Sequence, residues 1–187
     1  MKDKRWTVAH TLVSATLIGL AAVTTMVIRV PIPATGGYFN IGDIFVSFAG
    51  LWLGPMGGAL VGGIGPAIAD AIGFPVYVPA TAMTKGLEGL LVGLIARNAG
   101  NRIGPRVFAV FVGGLTVVVG YFAFQAYIYP FLGQTIPAFA ITSVGAAVIE
   151  VIPNAVQGVV GAVGGLALWK AVAGFGTLEK DDMTAKG

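Results

Sequence analysis

The chain has 187 residues, of which 56% are hydrophobic and only 10% are charged, and its formal net charge is +3. Soluble domains contain roughly 25% charged residues, so this composition indicates an integral membrane protein. The small positive charge bears on membrane orientation and not on nucleic-acid binding. The sequence contains no cysteine, which excludes disulfides, thiolate catalysis and cysteine metal sites. We expect no metal or other cofactor.

Apolar runs of suitable length occur throughout the chain. At about 20 residues per crossing, the chain suffices for about six spans and no separate soluble domain. The sequence therefore predicts an all-α fold, a compact bundle in which residues 1–187 form one domain. The predicted spans are 7–28, 41–53, 56–72, 79–97, 107–129 and 140–169.

The first span carries a stripe of small residues. Thr11, Ala15 and Gly19 recur every four residues, a spacing that lets another helix approach closely. That helix could belong to this chain or to a separate membrane partner, and the spacing does not distinguish the two.

The segment after the first span, residues 29–43, reads RVPIPATGGYFNIGD. Its prolines and glycines break helices and supply turns, so it is predicted to be a loop. Asn40 and Asp43 end this loop, where each could cap the next helix or line a polar pocket.

Glycine dominates the next part of the chain. The GPMGG segment at 54–58 predicts a turn between the second and third spans, and glycines spaced four apart on the third span predict close helix packing. No GxxxxGK[ST] motif is present, so the sequence does not predict a nucleotide-binding loop.

The fourth span contains two charged residues, Lys85 and Glu88. A charge near the middle of a spanning helix costs about 3 kcal/mol, so it normally faces a partner or a wet cavity. Lys85 and Glu88 lie three residues apart on one helix face, close enough to pair. They either neutralise each other within the bundle or line a polar pocket.

The last two spans carry further polar residues. Tyr121 and Gln125 lie four apart on the fifth span, and the last span has a polar stripe with Pro153 within it. The segment 130–137 between them is predicted to be a loop. The stripe consists of Ser143, Glu150, Asn154 and Gln157.

Basic residues predict the orientation. With six spans and both termini in the cytoplasm, the only external basic residue in the loops and tails is Arg29. The nine cytoplasmic ones are Lys2, Lys4, Arg5, Arg97, Arg102, Arg106, Lys170, Lys180 and Lys186. In this orientation the polar residues of the spans gather at the outer half of the bundle, where we expect one externally open cavity with aromatic residues available to stack on a ring.

The sequence resembles the substrate-binding S components of energy-coupling factor (ECF) vitamin transporters. The resemblance covers essentially the whole chain and rests on its size, its basic first helix, and the segments GGYFNIGD, LGPMGGALVGGIG and PATAMTKGLEGLLVGL. It implies a multi-pass prokaryotic plasma-membrane protein that is not an enzyme. Its partners would be the lipid bilayer, a membrane T component and two cytoplasmic ATPases, with no nucleic acid.

The resemblance also implies roles for individual residues. Thr11, Ala15 and Gly19 would dock on the T component, although many members have two alanines in this stripe. The substrate-binding residues would be Asn40, Asp43, Lys85, Glu88, Tyr121, Gln125, Glu150 and Asn154.

The ligand is less well defined by the sequence. Carboxylates at Glu88 and Glu150 favour hydroxymethylpyrimidine or pyridoxine, whereas Lys85 would suit the carboxylate of pantothenate or folate. Riboflavin and cobalamin are further alternatives. Two other classes are a self-sufficient secondary transporter and a structural membrane protein, in which the buried charges would serve helix packing alone.

Overall fold

The computed structural model describes residues 8–33, 37–100 and 102–185, with side chains as far as residue 173. The predicted basic amino terminus, Gly36 and Lys186 lie outside these residues. The helices and strands are α1 (Val8–Val27), β1 (Arg29–Ile32), β2 (Gly37–Asn40), α2 (Asp43–Gly73), α3 (Val78–Ala96), α4 (Ile103–Ala123), α5 (Tyr129–Gly133) and α6 (Val144–Ala185). Short 3-10 turns occur at Pro75–Tyr77 and Pro137–Phe139, and a π-helical turn, Phe124–Ile128, joins α4 to α5.

Five helical segments of the described chain are long and apolar enough to cross a membrane. The prediction of an all-α membrane protein is therefore confirmed at the level of fold class. The five segments are Val8–Val27, Asp43–Gly73, Pro75–Ala96, Ile103–Gly133 and Val144–Ala173.

The predicted second and third spans both lie in α2, which is broken at Gly54. Gly54 has φ of 81° and ψ of −167°, a backbone conformation that is accessible mainly to glycine. A Cβ atom built on Gly58 would lie 2.9 Å from the Cα atom of Gly50. Residues eight apart in a straight α-helix are separated by about 12 Å, so the chain reverses at Gly54 and the two arms of α2 pack against each other.

The predicted loop at 29–43 contains a two-stranded antiparallel hairpin. Arg29 pairs with Asn40 at one end of the hairpin and Ile32 pairs with Gly37 at the other. The loop prediction is wrong for these strands. Pro31 does not prevent pairing, because it lies in an edge strand, where the missing backbone N–H of proline is tolerated. The Arg29 side chain attaches the hairpin to α2, since Nη2 donates a 2.8 Å hydrogen bond to the Ala69 carbonyl.

Three further boundaries differ from prediction. The fifth span begins at Ile103 rather than at 107. The predicted loop at 130–137 is partly helical, since Tyr129–Gly133 forms α5. The last helix begins at Val144 rather than at 140, and the Ser143 hydroxyl accepts a 3.2 Å hydrogen bond from the Ala146 amide at its start. Ser143 therefore caps α6 instead of extending its buried polar stripe.

Glycines allow the helices to approach closely, as the sequence predicted. A Cβ atom on Gly89 of α3 would overlap the carbonyl group of Gly58 in α2. Between α4 and α6, a Cβ atom on Gly158 would lie 2.9 Å from the Cα atom of Gly114. Close backbone contact of this kind stabilises helix association where no hydrophobic driving force acts between helices.

Candidate ligand-binding site

A cavity lies at the end of the bundle that carries the hairpin. It has a volume of about 380 Å³ including the space at its mouth, and its interior holds roughly one water molecule. Side chains from β2 and from all the long helices surround it. The lining residues are Thr25, Gly37, Tyr38, Asn40, Pro66, Asp70, Tyr77, Thr81, Tyr121, Gln125, Glu150, Asn154 and Gln157.

The cavity brings together most of the residues predicted to bind substrate. Five of the eight line it, namely Asn40, Tyr121, Gln125, Glu150 and Asn154. The other three, Asp43, Lys85 and Glu88, are buried elsewhere in the bundle and do not line the cavity. The expectation that all eight surround one cavity is therefore wrong for these three.

The π-helical turn places Gln125 against α6. Its Nε2 atom donates a hydrogen bond to Oε2 of Glu150, which also accepts a 3.5 Å hydrogen bond from Nδ2 of Asn154. The Thr142 hydroxyl donates a 2.8 Å hydrogen bond to the Gln125 carbonyl. Oε1 of Gln125 is buried and has no hydrogen-bond partner in the described part of the chain. Such turns are frequent at functional sites, and this one leaves an acceptor unpaired in the cavity wall.

Asn40 connects the hairpin to α6. Oε1 of Gln157 accepts hydrogen bonds from the Asn40 backbone amide (2.9 Å) and from Asn40 Nδ2 (3.2 Å). Oδ1 of Asn40 accepts a 2.9 Å hydrogen bond from the Gly42 amide. This side-chain contact with the backbone two residues later stabilises the turn into α2. Asn40 therefore both lines the cavity and holds the hairpin over it.

A second polar group of the cavity wall consists of Tyr38 and Asp70. The Tyr38 hydroxyl donates a hydrogen bond to Oδ1 of Asp70. Burial raises the pKa of the Tyr38 phenol, and the nearby Asp70 carboxylate raises it further. Tyr38 therefore stays protonated near neutral pH. The Arg29 guanidinium lies 4.8 Å from the centre of the Tyr38 ring, on the hairpin and not in the cavity lining.

Tyrosines supply the aromatic part of the wall. The Tyr121 hydroxyl lies 2.9 Å from the Thr81 hydroxyl, within hydrogen-bond distance. Tyr77 makes an edge contact with Tyr129, with ring centres 5.8 Å apart. Tyr38 and Tyr77 line the cavity together with Tyr121.

The charged residues outside the cavity form a separate buried cluster. Lys85 makes an ion pair with Asp43, and both side chains are fully buried. The Ser47 hydroxyl donates a 3.1 Å hydrogen bond to Oε1 of Glu88, whose Oε2 atom has no partner among the described residues. Of the two interpretations of Lys85 and Glu88, mutual neutralisation does not describe the structure, because Lys85 forms its ion pair with Asp43 from the start of α2. Lys85 Nζ also lies 5.5 Å from the centre of the Tyr121 ring, so the cluster supports one wall of the cavity.

The small-residue stripe of α1 lies on the surface of the bundle. Thr11, Ala15 and Gly19 are all exposed, and a Cβ atom on Gly19 would meet no atom of the described chain within 4 Å. The sequence favours a contact of this stripe either with another helix of this chain or with a membrane partner. In the described structure the stripe does not pack against a helix of this chain.

These features define a multi-pass membrane protein with a polar cavity between its helices. A family model described as "ECF-type riboflavin transporter, S component" matches residues 5–174. The chain belongs to this family, whose members are substrate-binding subunits of transporters and not enzymes. The resemblance to S components is thereby confirmed. A protein of Pyrococcus woesei described as "uncharacterized protein in gap 3'region" is 39% identical over 107 residues, which are 57% of this chain and 72% of the relative.

Sequence reasoning missed several lining residues. Gln157 lies in the predicted polar stripe of the last span, and its buried position follows from the same periodicity as Glu150 and Asn154. Asp70 is one of the polar residues of the spans expected at the outer half of the bundle, and it lies in the cavity wall although it is not among the residues predicted to bind substrate. Thr25 and Thr81 carried no signal, since threonine is common in spanning helices.

Proposed function

We propose that this chain is the riboflavin-binding S component of an ECF transporter. Riboflavin is uncharged, with a planar ring system whose pyrimidine edge both donates and accepts hydrogen bonds and with a tail that carries several hydroxyl groups. A site for it needs hydrogen-bond donors and acceptors and aromatic rings, and no compensating charge. The family to which the chain belongs supports the same ligand.

The composition of the cavity wall supports a neutral ligand. The described lining residues include three amide side chains besides Asn40, two carboxylates and three tyrosines, and no lysine or arginine is among them. Lys85, which favoured a carboxylate ligand in the sequence, is neutralised by Asp43. This arrangement disfavours pantothenate and folate.

The carboxylates of the wall are also occupied. Glu150 accepts hydrogen bonds from Gln125 and Asn154, and Asp70 accepts one from Tyr38. A cationic pyrimidine or pyridine ring would compete with these donors for the carboxylates. Hydroxymethylpyrimidine and pyridoxine, favoured by the sequence, therefore rank behind riboflavin.

The observation that carries the proposal is the unpaired Oε1 atom of Gln125. A buried acceptor without a partner costs about 1–3 kcal/mol, and a ligand N–H group removes that cost. The imide N–H of the flavin ring is a donor of this kind. The carboxamide of Gln125 would then join the ligand to Glu150, with Asn154 completing the same wall.

The wider transport role follows from the family. An exposed α1 stripe of Thr11, Ala15 and Gly19 fits a docking face for a T component, with two ATPases supplying the energy. We further propose six crossings with both termini in the cytoplasm of a prokaryotic cell. The reversal at Gly54 supports the sixth crossing, because it divides α2 into two antiparallel arms.

The test is a riboflavin titration of the purified chain in nanodiscs, followed by quenching of flavin fluorescence. We expect saturable binding that excess hydroxymethylpyrimidine, pyridoxine, pantothenate, folate or cobalamin does not displace. Gln125→Ala should weaken binding about tenfold, equivalent to about 1.4 kcal/mol. Gln134→Ala is the matched control, since Gln134 is exposed near the same turn and does not line the cavity.

Two results would contradict the proposal. The first is a failure of riboflavin to saturate together with stabilisation of the chain by hydroxymethylpyrimidine or pyridoxine, which would restore the ranking that the sequence favoured. The second is uptake of vitamin through many turnovers on an ion gradient by proteoliposomes with the chain alone, which would identify a secondary transporter.

A further inference from the structure

An apolar groove runs between α4 and α6 on the outer surface of the bundle, apart from the polar cavity. It has a volume of about 500 Å³ including its open side, and its lining residues are all apolar or glycine. The close approach of Gly114 and Gly158 forms its floor. Phe111 and Val159 form its outer walls and are 63% and 62% exposed, so the groove opens outward, away from the interior of the helix bundle.

A buried arginine lies beyond one end of the groove. Arg106, Val110 and Gly114 are spaced four residues apart and lie along one side of α4. Arg106 lies about 12 Å from Gly114 along the helix axis. The centre of its guanidinium group lies 4.0 Å from the centre of the Trp169 ring on α6. The two helices that form the groove therefore also hold this cation.

The guanidinium group of Arg106 has hydrogen-bond donors to spare. Arg106 is only 9% exposed, and it donates to the backbone carbonyls of Arg102 (2.8 Å) and Gly100 (2.6 Å). Its Nε atom is buried without a partner in the described part of the chain. A guanidinium group carries five N–H donors, and in the described residues no carboxylate forms an ion pair with it. Arg102, one turn earlier, adds an exposed second positive charge.

We propose that this surface binds an anionic phospholipid, with one acyl chain in the groove and the phosphate group at Arg106 and Arg102. An apolar groove with a cation beyond one end complements a molecule with a hydrocarbon chain and an anionic head. Basic pockets between transmembrane helices bind anionic headgroups in this way. The proposal depends on the chain spanning a bilayer and does not depend on the ligand of the polar cavity.

A lipid fits the surface better than a helix of a partner protein does. The described residues that line the groove are all apolar or glycine, so they offer a partner helix no polar group to fix its register, and the arginine pair lies beyond one end. Spare guanidinium donors match the several oxygens of a phosphate, whereas the backbone of a partner helix has no free acceptors along its length.

The test measures quenching of Trp169 fluorescence by lipids with brominated acyl chains. The background chain carries Trp6→Phe and Trp52→Phe, so that Trp169 is the remaining tryptophan. Nanodiscs of phosphatidylcholine receive increasing fractions of brominated phosphatidylglycerol or brominated phosphatidylcholine. Half-maximal quenching should require about fivefold less brominated phosphatidylglycerol than brominated phosphatidylcholine. This factor corresponds to the attraction between one basic group and an anionic lipid.

Matched variants separate the two parts of the site. Arg106→Gln should remove the preference for phosphatidylglycerol, and Arg106→Lys should restore most of it. Ala155→Phe, which fills the groove from an exposed position, should reduce quenching by both lipids. Val156→Phe adds the same ring at a neighbouring exposed position outside the groove and should have no effect.

Equal quenching by the two lipids in the background chain would overturn the proposal, as would a preference that survives Arg106→Gln. A third result would assign the groove to a protein partner. In that case Ala155→Phe would leave quenching unchanged but prevent co-purification of a co-expressed T component.

Discussion

Lys85 on α3 forms an ion pair with Asp43 at the start of α2, and neither side chain has any exposed surface. The pair joins the start of α2 to α3. Because Asp43 closely follows β2, which carries Tyr38 and Asn40, the pair also fixes the position of the hairpin. It also holds the Lys85 ammonium group 5.5 Å from the centre of the Tyr121 ring. The two charges thus connect three elements around the cavity.

Replacing one member of this ion pair should destabilise the protein more than replacing both members. Lys85→Met leaves the Asp43 carboxylate buried without its cation, and removal of one member of a buried pair costs about 3–5 kcal/mol. The double variant Asp43→Asn/Lys85→Met contains no buried charge at these positions and should recover most of that loss. Unfolding of the purified chain in detergent, followed by near-UV circular dichroism, measures both. A double variant less stable than Lys85→Met would show that the pair is not the relevant interaction.

The contact of α2 with α3 requires glycine at position 89. Gly89→Ala places a methyl group on the carbonyl of Gly58, so the helices must separate, at a cost of about 1–3 kcal/mol. Gly86→Ala, one turn earlier on α3, is the control, because its Cβ atom would lie 3.5 Å from the nearest atom across the interface, the Gly63 Cα. We expect a lower thermal transition for Gly89→Ala only. An equal lowering by the two variants would contradict this assignment, since helix propensity alone would raise the transition of both.

Gln157 should control how firmly the hairpin covers the cavity. Gln157→Leu removes the acceptor for both Asn40 donors, and each buried donor left unpaired costs about 1–3 kcal/mol. Hydrogen exchange of the peptide that contains residues 37–42 should therefore become faster, while exchange in α3 stays unchanged.

Gln157→Glu provides the matched control for this measurement. It keeps an oxygen acceptor at the same position and should preserve most of the hairpin protection. Protection that persists in Gln157→Leu would show that β-pairing alone holds the hairpin in place.

The exposed stripe of α1 should contribute to partner docking and not to ligand binding. Ala15→Trp adds a large ring where a close helix contact is expected, so it should reduce recovery of a co-expressed T component. Leu20→Trp, on a different exposed face of α1, should leave recovery unchanged. Both variants should bind riboflavin as the unaltered chain does. Equal recovery of the T component with both variants would exclude this face as the docking surface.

The sequence by itself determined the class of the protein and most of its apolar helices. Composition and run length depend only on the cost of placing polar groups in lipid, so they are readable without a structure. Periodicity likewise placed Glu150, Asn154 and Gln157 on one buried face of α6, because residues three and four apart share a helix face whatever surrounds them. The family resemblance came from the same local patterns.

Only the tertiary structure decided which polar residues meet. Local spacing favoured Lys85 with Glu88, whereas the fold brings Asp43, 42 residues away in sequence, to the ammonium group. The hairpin at Arg29–Asn40 depends on pairing between two strands of four residues, one of which contains a proline, so it left no periodic signal. Whether a polar residue lines the cavity or is neutralised inside the bundle depends on the neighbouring helices, and sequence spacing carries no information about those contacts.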